Sequence, residues 1–279
     1  MSMDHIPRRG AALRIAGNLG VIAITTLWLL PIGWMFVNSF RPESETFYSG
    51  IFPAEFTTAN YLKALSNPTV VGSFKNSLIM AGAAAGLSVV VGTLAAYGFS
   101  RYRMRAQGSL QVMLLVIKLF PVILLAIALF RVAGYLKVYD TFVPLILVNG
   151  VINLPFAIWN LKTTFDALPV ELEEASWMDG LTRLGGIVRI LIPLMMPSVL
   201  ATMAFVFLLC WNEYLFAVTF IRSPQKMLMT VTMANNIGQY HMNFVGLMAH
   251  AMLASLPLLL LFLWMQRYIV SGLAGAVRR

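Results

Sequence analysis

The amino-acid sequence predicts an all-α integral membrane protein with six transmembrane helices. Of the 279 residues, 59% are hydrophobic and 11% are charged, whereas soluble domains carry about 25% charged residues. Six continuous apolar runs are long enough to cross a bilayer, which takes about 20 residues of helix. They lie at residues 16–40, 77–100, 109–133, 142–162, 194–221 and 247–268. A membrane β-barrel would instead show short segments of alternating polarity.

The first run, at residues 16–40, is interpreted as a span that the protein retains. It is longer than the apolar region of a signal peptide and begins late in the chain. No small-residue cleavage site follows it. A cleaved signal peptide is the alternative.

The distribution of Lys and Arg predicts that both termini are cytoplasmic. The net charge of +9 would suggest nucleic acid as the partner of a soluble protein, but basic residues of membrane proteins gather in cytoplasmic loops. The larger basic set falls in alternate segments between the runs: Arg8, Arg9, Arg14, Arg101, Arg103, Arg105, Lys162, Arg183, Arg189, Arg267, Arg278 and Arg279. The smaller set falls in the other segments: Arg41, Lys63, Arg131, Lys137, Arg222 and Lys226. Residues 41–76 are therefore predicted to be an external loop, and residues 164–193 a cytoplasmic loop.

Glycine and proline positions predict how the runs pack. The second run contains Gly82, Gly86, Gly92 and Gly98 among alanines, and small residues let membrane helices approach closely. We therefore expect this helix in the interior of the protein. Prolines in later runs remove backbone hydrogen bonds and predict kinks: Pro121, Pro144, Pro155 and Pro257. The external loop is expected to contain a short helix near residues 60–65.

No catalytic, metal-binding or nucleotide-binding pattern occurs in the sequence. The phosphate-loop pattern G-x-x-x-x-G-K-[ST], H-E-x-x-H and G-x-S-x-G are all missing. The three histidines are far apart in the chain, and Cys210 is the only cysteine. Transport against a gradient would therefore need energy from another chain or from a coupled ion. Ion coupling typically uses intramembrane carboxylates, and only Glu213 lies within a run.

Residues 171–193, ELEEASWMDGLTRLGGIVRILIP, form a polar segment between two apolar runs. A helix is predicted up to Gly180 and a second helix over residues 182–190. On the first helix Glu174, Trp177, Met178 and Leu181 follow the spacing i, i+3, i+4, i+7 and would share one face. Such an apolar stripe beside carboxylates favours a docking surface. The alternative is a helix that lies against its own protein or the lipid interface.

This segment resembles the E-A-A-x-x-x-G-x(9)-I-x-L-P signature of permease subunits in bacterial binding-protein-dependent ABC importers. The spacing from Glu174 through Gly180 to Ile190 and Pro193 is complete, with Ser176 in place of an alanine and Ile192 in place of a leucine. Further stretches are similar to the carbohydrate branch: NSLIMAGAAAGLSVVVGTLAAYGFSRYRMR, LPFAIWNLKTTF, WNEYLFAVTF and IVSGLAGAVRR. The likeness covers nearly the whole chain and is closest to the second permease of maltose-type systems.

The resemblance implies a single transmembrane domain over residues 1–279 with the type I permease fold, in the bacterial inner membrane. The implied partners are a second permease subunit, a cytoplasmic ATPase dimer that binds ATP and Mg²⁺, an external solute-binding protein and a sugar. The implied ATPase-coupling residues are Glu174, Ala175, Ser176, Trp177, Met178, Asp179, Gly180, Ile190 and Pro193. The cytoplasmic tail at residues 269–279 would also reach the ATPase through Gly272, Gly275 and Arg278. No cofactor and no catalytic residue are expected in this chain.

Polar residues within the runs are candidates for the substrate path, because burying them in a membrane is costly. They are Lys118, Asn149, Asn153, Trp211, Asn212 and Glu213. The two asparagines could equally form interhelical hydrogen bonds. Lys118 needs a partner: a carboxylate or carbonyl of the second permease, or an anionic sugar. A bridge to Glu213 would require a favourable kink at Pro121.

Two other classes of function stay open from the residues alone. An ion-coupled secondary carrier would work without an ATPase, and an intramembrane enzyme would need a catalytic set. Within the ABC importers, a polyol, glycerol phosphate or an amino sugar are alternative substrates.

Overall fold

The computed structural model describes residues 8–46, 50–102, 105–235 and 243–276. All regular elements in these ranges are helical. The α-helices are α1 (Arg8–Ser39), α2 (Ala59–Ser66), α3 (Pro68–Arg101), α4 (Gln107–Leu119), α5 (Val122–Tyr135), α6 (Phe142–Ala167), α7 (Glu171–Met178), α8 (Arg183–Gly186), α9 (Ile192–Trp211), α10 (Leu215–Phe220), α11 (Met229–Asn235) and α12 (Phe244–Ala276). A π-helical turn, Ile187–Leu191, joins α8 to α9.

The described residues contain five helices that are long and apolar enough to cross a membrane. They are Ala16–Ser39, Pro68–Arg101, Phe142–Ala167, Arg183–Trp211 and Phe244–Gln266. A sixth apolar segment is the bent pair α4 and α5. The predicted all-α membrane architecture is confirmed.

The third run is not one continuous span, which differs from the prediction of a helix over residues 109–133. Helices α4 and α5 meet at an angle of 94°. Pro121 lies at the break and has no N–H to donate to the preceding turn. Phe120, which precedes it, is extended with φ −71° and ψ 134°, as expected of a residue before proline. The predicted kink is therefore a sharp break between two helices.

The fifth run also has different bounds from those predicted. Its helix begins at Arg183 and ends at Trp211, so the second helix expected over residues 182–190 is continuous with the span. The π-helical turn ends two residues before Pro193, whose missing N–H removes one hydrogen bond of a regular helix. The helix is then interrupted at residues 212–214, before α10 begins.

The chain divides into two compact units, of which the first comprises residues 1–66 and 236–253. In this unit the buried side chain of Asn60 joins α2 to the end of α1. Its Nδ2 donates to the carbonyl oxygens of Ser39 at 3.0 Å and Arg41 at 2.8 Å. Helix α2 confirms the short helix predicted in the loop at residues 41–76. Helix α3 begins at Pro68, within the residues predicted as this loop.

The second unit comprises residues 67–235 and 254–279, and close packing of α3 on α6 forms its centre. A Cβ atom on Gly92 would lie 2.9 Å from the Cβ of Ala157. The Ser88 hydroxyl donates to the Gly150 carbonyl at 2.5 Å. The predicted interior position of the second run is confirmed, because both helices bury residues along this contact.

Candidate functional site

The sequence of α7 determines where this helix ends. Gly180 has φ +84°, a left-handed conformation that glycine adopts without a Cβ clash. Its N–H donates to the Trp177 carbonyl at 3.0 Å, and the Leu181 N–H donates to the Ser176 carbonyl at 3.0 Å. Leu181 therefore lies beyond the helix. The prediction that it continues the face of Glu174 and Trp177 is wrong, because the chain turns at Gly180.

One face of α7 is open to the surroundings. Met178 is 88% exposed and Trp177 is 38% exposed. Glu174, Ala175 and Asp179 are also exposed. Met178 and Trp177 are neighbouring exposed apolar residues beside carboxylates, and an apolar patch rimmed by polar residues often binds a partner.

The other face of α7 packs on its own chain. Ser176 is 1% exposed, and its hydroxyl donates to the Glu173 carbonyl at 2.7 Å. A Cβ on Gly186 would lie 2.7 Å from the Ser176 hydroxyl oxygen. Ser176, one of the predicted coupling residues, thus faces the chain interior, where it contacts the start of the fifth span.

A buried ion pair, which was not predicted from the sequence, holds the same face. Glu173 is 3% exposed, and one of its oxygens accepts a hydrogen bond from Nε of Arg101 at the end of α3. Its other oxygen accepts from the Tyr97 hydroxyl at 3.0 Å. Arg101 had been assigned only to the cytoplasmic basic set. The i, i+4 spacing of Tyr97 and Arg101 was the available signal, since it places both side chains on one helix face.

A pocket of about 240 Å³ opens beside this ion pair, between the ends of α3, α7 and α8. The Arg183 guanidinium lies 5.4 Å from the centre of the Trp177 ring and 5.7 Å from that of Tyr102. It also donates a hydrogen bond to the Tyr102 hydroxyl. A cation–π contact at an exposed site contributes about 0.5 to 1 kcal/mol. Trp177 thus contacts Arg183 while part of its ring stays exposed.

The remaining predicted coupling and tail residues are spread over several elements. Ile190 is half-buried in the π-helical turn, and Pro193 is exposed in α9. Gly272 and Gly275 lie within α12. Arg278 lies outside the described residues.

Three of the predicted substrate-path residues lie together. Lys118 Nζ donates to Oδ1 of Asn153 at 3.3 Å, and Nδ2 of Asn153 donates to the Asn149 carbonyl at 3.0 Å. Asn149 and Asn153 are 4% and 5% exposed. Asn153 was not predicted as a partner of Lys118. An amide supplies no counter-charge, so both interpretations of Lys118 stay predictions.

Trp211, Asn212 and Glu213 have three different environments. Trp211 is 4% exposed, packs on Phe74 and Phe207, and donates from Nε1 to the Ala254 carbonyl at 3.1 Å. Asn212 is exposed and bonds to the Leu208 carbonyl of its own helix at 2.8 Å.

Glu213 accepts a hydrogen bond from the Phe216 N–H at 2.7 Å at the start of α10. Among the described residues, no carboxylate forms an ion pair with Lys118. The break at Pro121 therefore does not produce the bridge from Lys118 to Glu213. Within the same ranges, no group of three His, Cys, Asp or Glu side chains is arranged to hold a metal ion.

The fold matches that of a solved ABC transporter. A chain in the crystal structure of a bacterial ABC transporter involved in the import of the acidic polysaccharide alginate superposes with a TM-score of 0.79. The match covers 96% of this chain and 99% of that chain, at 18% sequence identity. This likeness establishes the fold.

Sequence comparisons establish the family. The inner membrane ABC transporter permease protein YcjP of Escherichia coli is 31% identical over 271 residues, covering 95% of this chain and 96% of that protein. The trehalose/maltose transport system permease protein MalG of Thermococcus litoralis is 31% identical over 269 residues, covering 95% and 97%. The family model of the binding-protein-dependent transport system inner membrane component matches residues 88–275. This chain therefore belongs to the family of inner membrane components of binding-protein-dependent transport systems.

Proposed function

We propose that this permease is a pore subunit of an ATP-driven importer that carries a sugar or sugar derivative into the cytoplasm by alternating access. The exposed face of α7, at the family's signature residues, carries the proposal. Relatives that share about the full length of the chain support the substrate class. They include a diacetylchitobiose permease of Streptomyces coelicolor and a sulfoquinovosyl glycerol permease of Agrobacterium fabrum, at 27% and 28% identity.

The proposed ATPase contact is the exposed face of α7. Met178 and Trp177 would fill an apolar cleft of the ATPase, and Glu174 would pair with a basic residue there. Buried aromatic anchors contribute much of the free energy of protein interfaces. ATP and Mg²⁺ would bind to the ATPase dimer, whose closure would move α7 and change the access of the pore.

The proposed assembly also contains a second permease and an external solute-binding protein. The loop at residues 164–193 and the tail at 269–279 would face the cytoplasm, with Gly272, Gly275 and Arg278 near the ATPase. The loop at residues 41–76 would face the binding protein. The clustering of basic residues in alternate segments supports this orientation.

The polar group of Lys118, Asn153 and Asn149 is the best-supported part of the proposed substrate path. Lys118 lies in the last turn of α4, beside the break between α4 and α5, and broken helices commonly frame substrate sites in transporters. Trp211 has a weaker case, because its ring is buried in the protein and its N–H is already bonded. Asn212 and Glu213 lie between α9 and α10.

Reconstitution tests the proposed function. Proteoliposomes should contain this permease, the second permease and the ATPase, with the ATPase on the lumenal side. They should take up sugar only when ATP is enclosed in the lumen and the binding protein is present outside. Vesicles that lack the ATPase are the control. Uptake by the permease alone, driven by a proton or sodium gradient, would contradict the proposal and favour the secondary carrier.

A further inference from the structure

A single arginine joins the ends of three helices in the second unit. The Nε of Arg101 contacts Glu173 in the first turn of α7, and its Nη2 donates to the Leu168 carbonyl at 3.1 Å. Leu168 directly follows α6 and caps its C-terminal end. With the hydrogen bond from Tyr97 to Glu173, these contacts are here named the Arg101 clamp. The planar guanidinium suits this role because its donors point in fixed directions.

The Arg101 clamp is shielded from solvent. The side chains of Arg101 and Glu173 are 11% and 4% exposed. Both carboxylate oxygens of Glu173 accept hydrogen bonds, so the buried charge is satisfied. Solvent and salt screen a buried pair much less than an exposed pair. The contact therefore constrains the position of α7 more strongly than a surface ion pair would.

The clamp lies on the buried side of α7, next to Trp177 of the proposed ATPase contact, which lines the same pocket as Glu173. Glu173 is buried, whereas its neighbour Glu174 is exposed. Val170, at the start of α7, provides no side-chain hydrogen bond to the first turn. At the other end of α7, Ser176 packs closely on Gly186. The clamp thus supplies the side-chain connection at the beginning of the helix, and Ser176 supplies the one at its end.

Helix α3 extends from the clamp to the far end of the second unit. It has 34 residues, which corresponds to a length of about 50 Å. Near its other end, the Ser77 hydroxyl accepts a hydrogen bond from the Met229 N–H at 2.8 Å, and Asn76 Nδ2 donates to the Met227 carbonyl at 3.1 Å. Between the two ends, Gly92 packs closely on α6. A displacement at the clamp would therefore reach both α6 and the segment around α11.

We infer that the Arg101 clamp transmits the movement of α7 to α3 and α6, and that Arg101, Glu173 and Tyr97 are positioning residues for transport. This rests on the proposed function, in which the ATPase moves α7. Without the clamp, α7 would still bind the ATPase through its exposed face. Its movement would be absorbed in the loop instead of changing the pore.

The test is the ratio of solute transported to ATP hydrolysed by the complete reconstituted transporter. The double variant R101M/E173L removes both buried charges together, which avoids the unpaired charge that either single variant would leave. The variant Tyr97→Phe removes one hydrogen bond and leaves the ion pair. Lys162→Met is the control, since it breaks an ion pair of 2.6 Å between Lys162 and Asp166 within one helix.

We expect the double variant to assemble with the ATPase as the wild type does. Its transport per ATP should fall by about 5-fold or more, the lower end of typical coupling between distant sites. Tyr97→Phe should lower the ratio less, and Lys162→Met should leave it unchanged. A double variant with the wild-type ratio would overturn the inference, because the ion pair would then only neutralise a buried charge.

If the double variant fails to assemble, Tyr97→Phe decides the matter, and an unchanged ratio in that variant overturns the inference. A wild-type complex without ATP-dependent uptake is a different result. It would contradict the proposed function.

Discussion

Two adjacent glutamates of α7 have opposite environments, one buried and one exposed. The buried one belongs to the Arg101 clamp, and the exposed one to the proposed ATPase contact. Glu173 is 3% exposed and ion-paired with Arg101, whereas Glu174 is exposed. Gly180 then turns the chain in a left-handed conformation, which costs about 1 to 2 kcal/mol for a residue with a Cβ. Since a Cβ there would meet no atom within 4 Å, the backbone conformation selects glycine and available space does not.

Glu174→Lys should abolish ATPase binding and transport while the permease still inserts. The side chain is exposed, so the change leaves the fold intact and reverses the charge offered to the ATPase. Retention of the ATPase on a tagged permease in detergent measures the effect. Glu55→Lys is the matched control for ATPase retention, because it makes the same change at an exposed residue of the loop at 41–76. Full transport by Glu174→Lys would contradict the proposed docking role.

Lys118→Met distinguishes the two proposed partners of the Lys118 ammonium group, a group of the second permease or an anionic sugar. Such a charge costs about 2.5 to 3.5 kcal/mol on insertion scales, and Asn153 provides a hydrogen bond at 3.3 Å without a counter-charge. If an anionic sugar supplies the charge, uptake of an acidic sugar should fall while that of a neutral sugar is retained. Equal loss of both, together with weaker association of the two permeases, would indicate a carboxylate of the second permease instead.

At the scale of elements, the close approach of α3 and α6 depends on particular glycines. A Cβ on Gly92 would meet the Ala157 Cβ at 2.9 Å, and one on Gly150 would meet Cδ2 of Leu87 at 2.6 Å. The end of a leucine side chain can move, whereas an alanine Cβ is fixed to the backbone. A Cβ on Gly86 would meet no atom within 4 Å. The sequence did not distinguish these positions, because all are small residues within apolar runs.

Gly92→Ala should destabilise the protein more than Gly150→Ala, and Gly86→Ala should have little effect. Overpacking a tight contact costs about 1 to 3 kcal/mol, and the cost is smaller where the neighbouring side chain can rotate. The order of stability is measured by heating each variant in detergent and recording the fraction of protein that stays monodisperse. Equal stability of Gly92→Ala and Gly86→Ala would contradict the close packing of α3 on α6.

At the scale of the whole molecule, the part of the chain that the structure describes contains six apolar segments, of which five are single helices and one is the bent pair α4 and α5. The orientation of these segments in the membrane is a prediction from the basic residues of the loops. Cys210 is the only cysteine and is fully buried. Single cysteines introduced at exposed positions therefore report the orientation.

In a Cys210→Ser background, Met178→Cys should react with an impermeant maleimide only in inside-out vesicles. Glu55→Cys should react in intact spheroplasts, because its loop is expected to be external. Both positions are exposed in the folded protein, so the membrane determines their access. The reverse labelling pattern would contradict the proposed orientation and place α7 away from a cytoplasmic ATPase.

The sequence by itself determined the membrane class, the family signature and the turn at Gly180. Apolar run length, loop charge and glycine conformation are local properties, so a single sequence carries them. Only the tertiary structure decided that Ser176 is buried, that Lys118 contacts Asn153, and that Arg101 pairs with Glu173. These partners lie 35 and 72 residues apart in the chain. Their contact depends on how α3, α4, α6 and α7 pack, which the local pattern of residues does not specify.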